Sequence, residues 1–156
     1  NYARVVQICD DNQAQQEKYG YSTYAQSCAT AYEHQRRFEE AERAHLYAIE
    51  YEITRIAASM SLARFYLRHA RPLDAEKRFT AAIAWTTDPA DKALNTAEMI
   101  IALNPSNREQ AAIAKGDIAE ALQLRPGWSK AETMLRAVEK ALASSRDPLN
   151  GKVPPG

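Results

Sequence analysis

The sequence predicts an all-α protein, an antiparallel helix-pair solenoid of about three repeats with a capping helix at each end. Three observations carry this expectation. The series Tyr32, Arg37, Ala41, Ala48 and Ile49 recurs 34 positions later as Tyr66, Arg71, Ala75, Ala82 and Ile83, with Ser27/Ser61, Ala29/Ala63 and Glu42/Glu76 also identical. A fixed period of this length marks stacked helix-pair units. Only 5 glycines occur in 156 residues, which favours long helices. Apolar residues recur at three- and four-residue steps between proline and glycine breaks, and no stretch reads as a strand.

The elements follow in order. Val5, Ile8, Cys9, Asn12, Gln16 and Tyr19 form a stripe over residues 2–19 that turns polar midway, the expectation for an N-terminal cap helix. Gly20 ends it, and Ser22 or Thr23 can accept the first free amide bonds of the next helix. That helix runs to about Gln35, residues 36–39 turn, and a return helix spans Glu40 to about Arg55, so 22–55 is the first pair. Residues 56–89 are the second pair, broken at Pro72, where the missing N–H and the ring stop a helix. The third pair, 90–128, turns at residues 104–107 and stops at Pro126 and Gly127. Residues 129–144 form the last helix, and the proline- and glycine-rich segment 145–156 reads as a disordered tail or linker.

Length and charge bound what such an array can do. The chain fits one helical domain over residues 1–144. Lysine plus arginine, 20, equals aspartate plus glutamate, 20, which argues against a general polyanion binder and hence against nucleic acid as partner. No apolar run approaches the ~18 residues of a membrane span, so no membrane insertion is expected. The first residue is Asn1 and not methionine, which suggests a processed protein or a piece of a longer one.

The repeated positions are those that close helix packing requires. Alanines at 29, 41 and 48, and again at 63, 75 and 82, let backbones approach, while Tyr32/Tyr66, Leu62 and Phe79 fill the gaps between them. The order of small and aromatic residues resembles the tetratricopeptide repeat (TPR) family. Leu62, Ala63, Tyr66, Ala75, Phe79 and Ala82 of the second unit occupy the family's spacings. The first unit offers Cys28, Ala29, Tyr32, Ala41, His45 and Ala48, with His45 where an aromatic is usual. The third fits with about five residues inserted around its turn: Ala97, then Ala114, Ile118, Ala121 and Pro126. The resemblance covers roughly residues 22–128.

The resemblance implies a concave groove, lined by first helices, that holds a partner segment. Carried over by position, the first unit contributes Thr23, Gln26, Thr30, Glu33 and His34 to it, and the second Ala57, Met60, Arg64, Leu67 and Arg68. The third contributes Asp91, Leu94, Glu98 and Ile101. Of these Gln26, Thr30, Glu33, His34, Met60, Arg64, Leu67 and Arg68 are the candidate partner-binding residues. Arg64 and Arg68, four apart on one helical face, could fork onto a carboxylate, and Met60 and Leu67 supply adaptable apolar contact. The plainer reading is a solvated arginine face. The family's chaperone-type carboxylate clamp needs lysine and asparagine where Gln26 and Thr30 stand, asparagine at Ser61, and lysine and arginine at Asp91 and Asn95. None matches.

Catalytic patterns are scarce, so no enzyme activity, cofactor or metal is expected. His34, His45 and His69 lack the four-residue helical pairing of zinc hydrolases. Cys9 lies beside Asp10 and Asp11, which would raise a thiol pKa rather than make a nucleophile. Gly116 stands mid-helix with nothing around it to cradle a phosphate.

Cys9 and Cys28 sit on antiparallel helices, 11 and 8 residues from Gly20, so a bridge pinning the cap helix is open to them; the residue type by itself favours two buried free thiols. A bridge would imply an oxidising compartment, and the absent initiator methionine points the same way, to an exported bacterial protein. The function expected is a non-enzymatic interaction module or scaffold, with a protein or peptide partner. The alternative is a helical accessory domain of a larger enzyme or of a secretion or envelope assembly, including a secretion-chaperone-like role, although such chaperones tend to be acidic. Met134, Leu135, Val138 and Leu142 give the last helix one apolar face, which either caps the array or docks a second copy.

Overall fold

The computed structural model describes the backbone of residues 1–19 and 22–144, and within that span the side chains outside 13–23. The expected stop at Gly20, the cap at Ser22 or Thr23 and the tail over 145–156 lie outside these. Among the described residues there are eight α-helices and no strand. The chain divides into two compact units, Asn1–Trp85 and Thr86–Gly156.

The first unit holds α1 (Tyr2–Tyr19), α2 (Ser22–His34), α3 (Phe38–Ile49), α4 (Arg55–Arg68) and α5 (Pro72–Trp85). The repeated alanines are its packing points: Ala29, Ala41, Ala48, Ala63, Ala75 and Ala82 are all 0% exposed. A methyl is all that alanine places between adjacent backbones, which lets the helices meet closely, and Leu62, Phe65 and Phe79 are buried among them. Ser59 is buried too, and its hydroxyl donates to the carbonyl of Arg78 at 2.8 Å, tying α4 to α5.

The turns inside both pairs are the same turn. Arg36 and Ala70 adopt left-handed backbone, with φ of 60° and 56°. The next amide reaches back over the helix end, Arg37 N–H to Tyr32 C=O at 2.9 Å and Arg71 N–H to Tyr66 C=O at 2.8 Å. This is the Schellman arrangement, which satisfies carbonyls a helix end otherwise leaves unpaired.

Two boundaries differ from the sequence expectation. The return helix α3 starts at Phe38 rather than Glu40 and ends at Ile49 rather than near Arg55. It stops because Thr54 Oγ1 takes the carbonyl of Ala48 at 2.6 Å and the chain folds into turns through residue 54, leaving Ile53 96% exposed. Among the described side chains of α1, those up to residue 12, Val6 and Cys9 are buried, while Ile8 and Asn12 of the expected stripe are exposed.

Cys9 and Cys28 are joined by a disulfide, with Cα atoms 5.9 Å apart. The preference for two free thiols is thereby corrected. Each residue is 3% exposed, so the burial that the residue type suggested is there, but as a bridge between α1 and α2.

The second unit contains α6 (Pro89–Leu103), α7 (Arg108–Leu124) and α8 (Ser129–Ser144). Asp88 caps α6, accepting from the Asp91 amide at 2.9 Å with Pro89 at the first helical position; Asn107 caps α7 through the Gln110 amide at 3.0 Å. Its core is Leu94, Ala97, Ala114, Ile118, Ala121, Ala131 and Val138, against which Met134, Leu135 and Leu142 of α8 pack. The apolar face of the last helix therefore covers its own unit.

Candidate functional site

The repeated tyrosine and arginine organise the first unit. Tyr32 donates its hydroxyl to Asp10 Oδ1 at 3.0 Å, and Arg37 grips the same carboxylate through two bonds of 2.6 and 3.0 Å. One period on, Tyr66 donates to Glu42 Oε1 at 2.5 Å and Arg71 bonds Glu42 Oε2 at 3.1 Å. The acid comes each time from the preceding helix, α1 or α3. Arg37 also bonds Glu40, and Arg71 bonds Asp74, three residues on in each case. These latches fix how α2 and α4 lie on their neighbours.

Between α2, α3 and α4 the latched helices leave a polar cavity of about 160 Å³. Gln26, Thr30 and Glu33 line it from α2, Ser61, Arg64 and Arg68 from α4, and His45 from α3. Arg68 forks onto Glu33, with Nε to Oε1 at 2.8 Å and Nη2 to Oε2 at 2.7 Å. His69 Nε2 lies 3.2 Å from the same Glu33 oxygen. The Arg68 guanidinium holds the Glu33 carboxyl below the ordinary carboxylate range, against the opposing effect of burial. His45 is 4% exposed, and its Nδ1 has no hydrogen-bond partner. Burial pushes its pKa down to about 4, with Glu33 pulling upward and Arg68 pushing further down.

Five of the eight candidate residues thus converge on one cavity: Gln26, Thr30, Glu33, Arg64 and Arg68. Three do not. His34 lies outside, its ring stacked on Tyr2 at 3.9 Å between centroids. Met60 is 4% exposed and belongs to the core, which corrects its reading as adaptable groove surface. Leu67 is half-buried beside the cavity without lining it. The fork read from Arg64 and Arg68 is also corrected, since Arg68 already clasps Glu33 of its own chain. Leu94 is buried in the second unit, and Asp91 is bound by Arg125 at 2.9 Å. The side chain of Thr23 lies outside the described residues. Sequence reasoning missed His45 and Ser61 as lining. The signal for His45 was present, because a polar ring replaces an aromatic at a core position.

The second unit carries a larger hollow of about 310 Å³ between α6, α7 and α8, where Ile101, Ala111, Met134, Val138 and Leu142 make it mainly apolar. Among the described residues no group of three or more histidine, cysteine, aspartate or glutamate side chains is placed to hold a metal ion, and no helix is long and apolar enough to cross a membrane. Comparison with known families, characterised proteins and solved structures finds no match to this chain.

Proposed function

We propose that this chain is a non-enzymatic, TPR-like interaction module whose first helices hold a segment of a protein partner. The observation that carries the reading is the polar cavity between α2 and α4, where five residues chosen by repeat position alone come together. The twin latches around Tyr32 and Tyr66 support it, because the same side-chain device recurs with the 34-residue period that defines the repeat. A docking face needs rigid walls and polar groups of mixed sign, and these helices supply both. The Cys9–Cys28 bridge favours an oxidising compartment, and so the version of this function in which the module serves an exported or envelope assembly.

Affinity capture tests the reading. Wild-type chain is compared with a Thr30→Arg/Ser61→Arg variant, which fills the cavity mouth, after circular dichroism has shown equal helix content. A protein captured by the first and lost by the second is the expected result. Capture unchanged by the substitutions overturns the α2/α4 face as the site.

A further inference from the structure

The cavity of the first unit is walled in part by a polar ring whose hydrogen bonding the fold leaves incomplete. His45 is 4% exposed and sits as a core aromatic would, 5.9 Å from the Phe65 ring between centroids. It also lines the cavity between α2, α3 and α4, and its Nδ1 is buried without a hydrogen-bond partner. A phenyl ring would keep the same packing with no polar atom to satisfy, so the imidazole carries a stability cost that packing does not require.

The other lining groups narrow what completes the site. Its charged side chains are engaged already. Glu33 is clasped by Arg68 and lies 3.2 Å from His69 Nε2, and Arg64 also has a partner. An incoming ion of either sign must displace one of these partners or lose its hydration uncompensated, a cost that a neutral group escapes. The remaining lining, Gln26, Thr30 and Ser61, is neutral and polar. Thr30 donates its hydroxyl to the backbone carbonyl of Gln26 at 3.0 Å, so what it offers a ligand is an oxygen that accepts. The His45 ring is itself neutral at pH 7, because burial disfavours its charged form.

A primary carboxamide matches this set, since one small planar head carries two N–H donors and a carbonyl acceptor. We propose that the cavity takes the carboxamide of an asparagine or glutamine side chain carried by the partner segment. One amide N–H meets His45 Nδ1, the other meets the hydroxyl oxygen of Thr30, and the carbonyl accepts from Ser61 or Gln26. No covalent bond changes and no proton is taken up. The inference rests on the α2/α4 face being the docking face, and it names the side chain that enters it.

The test is an NMR titration of the intact, oxidised chain with 15N in its histidine rings. Propionamide serves as the side-chain analogue. N,N-dimethylpropionamide, which lacks N–H donors, and propionate, which is charged, are the controls. The His45→Phe variant identifies which ring signals belong to His45. The expected result at pH 7 is a saturable movement of the His45 Nδ1 signal with propionamide and none with either control. In His45→Phe, read through the backbone amides of residues 26, 30 and 61, propionamide should bind about tenfold more weakly, the effect of one lost hydrogen bond. The urea midpoint of that variant should rise, because the unpaired nitrogen is gone, so weaker binding is not a failure to fold. No saturable movement, or an equal one with either control, overturns the proposal, and so does equal propionamide affinity in wild type and variant. Partner capture that depends on the cavity, together with no response to propionamide, would retire this inference and leave the docking face standing.

Discussion

The guanidinium of Arg71 lies over the ring of Tyr66, 4.3 Å from its centroid, and both side chains bond the carboxylate of Glu42. Arg37 stands over Tyr32 at 4.8 Å, and the pair shares Asp10 in the same way. The identity of these residues across the 34-residue period is thus a three-group latch. The acid, Asp10 or Glu42, does not repeat in type, yet it arrives each time from the helix before. Tyr66→Phe should remove only the hydroxyl bond and cost about 1 kcal/mol, whereas Tyr66→Ala, at a site 4% exposed, should leave a cavity and cost about 3–5 kcal/mol. Urea unfolding of the two variants beside wild type checks the order.

Ala75, on α5, is fully buried. Ala75→Leu should force α4 and α5 apart and cost about 1–3 kcal/mol through overpacking. If thermal melting of this variant matched the parent, the helix register would be wrong.

Ala70 is an alanine in left-handed backbone, φ 56°, at an exposed turn. A residue with a Cβ costs about 1 kcal/mol there, and glycine does not carry that penalty. Ala70→Gly should therefore stabilise the chain by up to about 1 kcal/mol, read as a higher urea midpoint.

Stability should fall with acid in two stages. His45 ionises near 6.5 when unfolded and near 4 when folded, so the unfolded chain binds more protons between those values. Its contribution is intact above 6.5 and is lost as pH falls toward 4, by on the order of 3 kcal/mol. His45→Phe should flatten that stage. Asp10 and Glu33 are held low chiefly by Arg37 and Arg68, and Glu40 by a backbone hydrogen bond and then Arg37. Their contributions are present above the unfolded carboxylate values and disappear as pH drops through the folded ones, so the second stage follows below about 4. Urea midpoints measured from pH 8 to 3 display both stages.

The Cys9–Cys28 bridge closes a loop of 19 residues, for which the chain-entropy treatment gives about 3 kcal/mol. Reduction should act mainly on α1, which is otherwise tied to α2 by the Asp10 latch and the Tyr2–His34 stack. Limited proteolysis of reduced protein should cleave within residues 2–12 and spare α4 and α5.

What was legible in the sequence was what repeats. Ala29/Ala63, Ala41/Ala75 and Tyr32/Tyr66 located the pairs because packing forces the same small or aromatic residue at the same place, and all six are buried. Helix ends set by side-chain bonds were less visible. The stop at Ile49 depends on Thr54 reaching the Ala48 carbonyl, which no periodicity encodes. At the site, position on a helix face found Gln26, Thr30, Glu33, Arg64 and Arg68, but not that Arg68 is spent on Glu33, since an ion pair across 35 residues depends on tertiary geometry. Met60 was misplaced because helical spacing gives a direction and not the depth of the neighbouring helix.

Amide hydrogen exchange on the captured complex reads out whether the α2/α4 face holds the partner. Added protection should be concentrated in residues 26–33 and 61–68 and weakened in the Thr30→Arg/Ser61→Arg variant. Protection confined to α3 and α5, or to the unit that begins at Thr86, would contradict it.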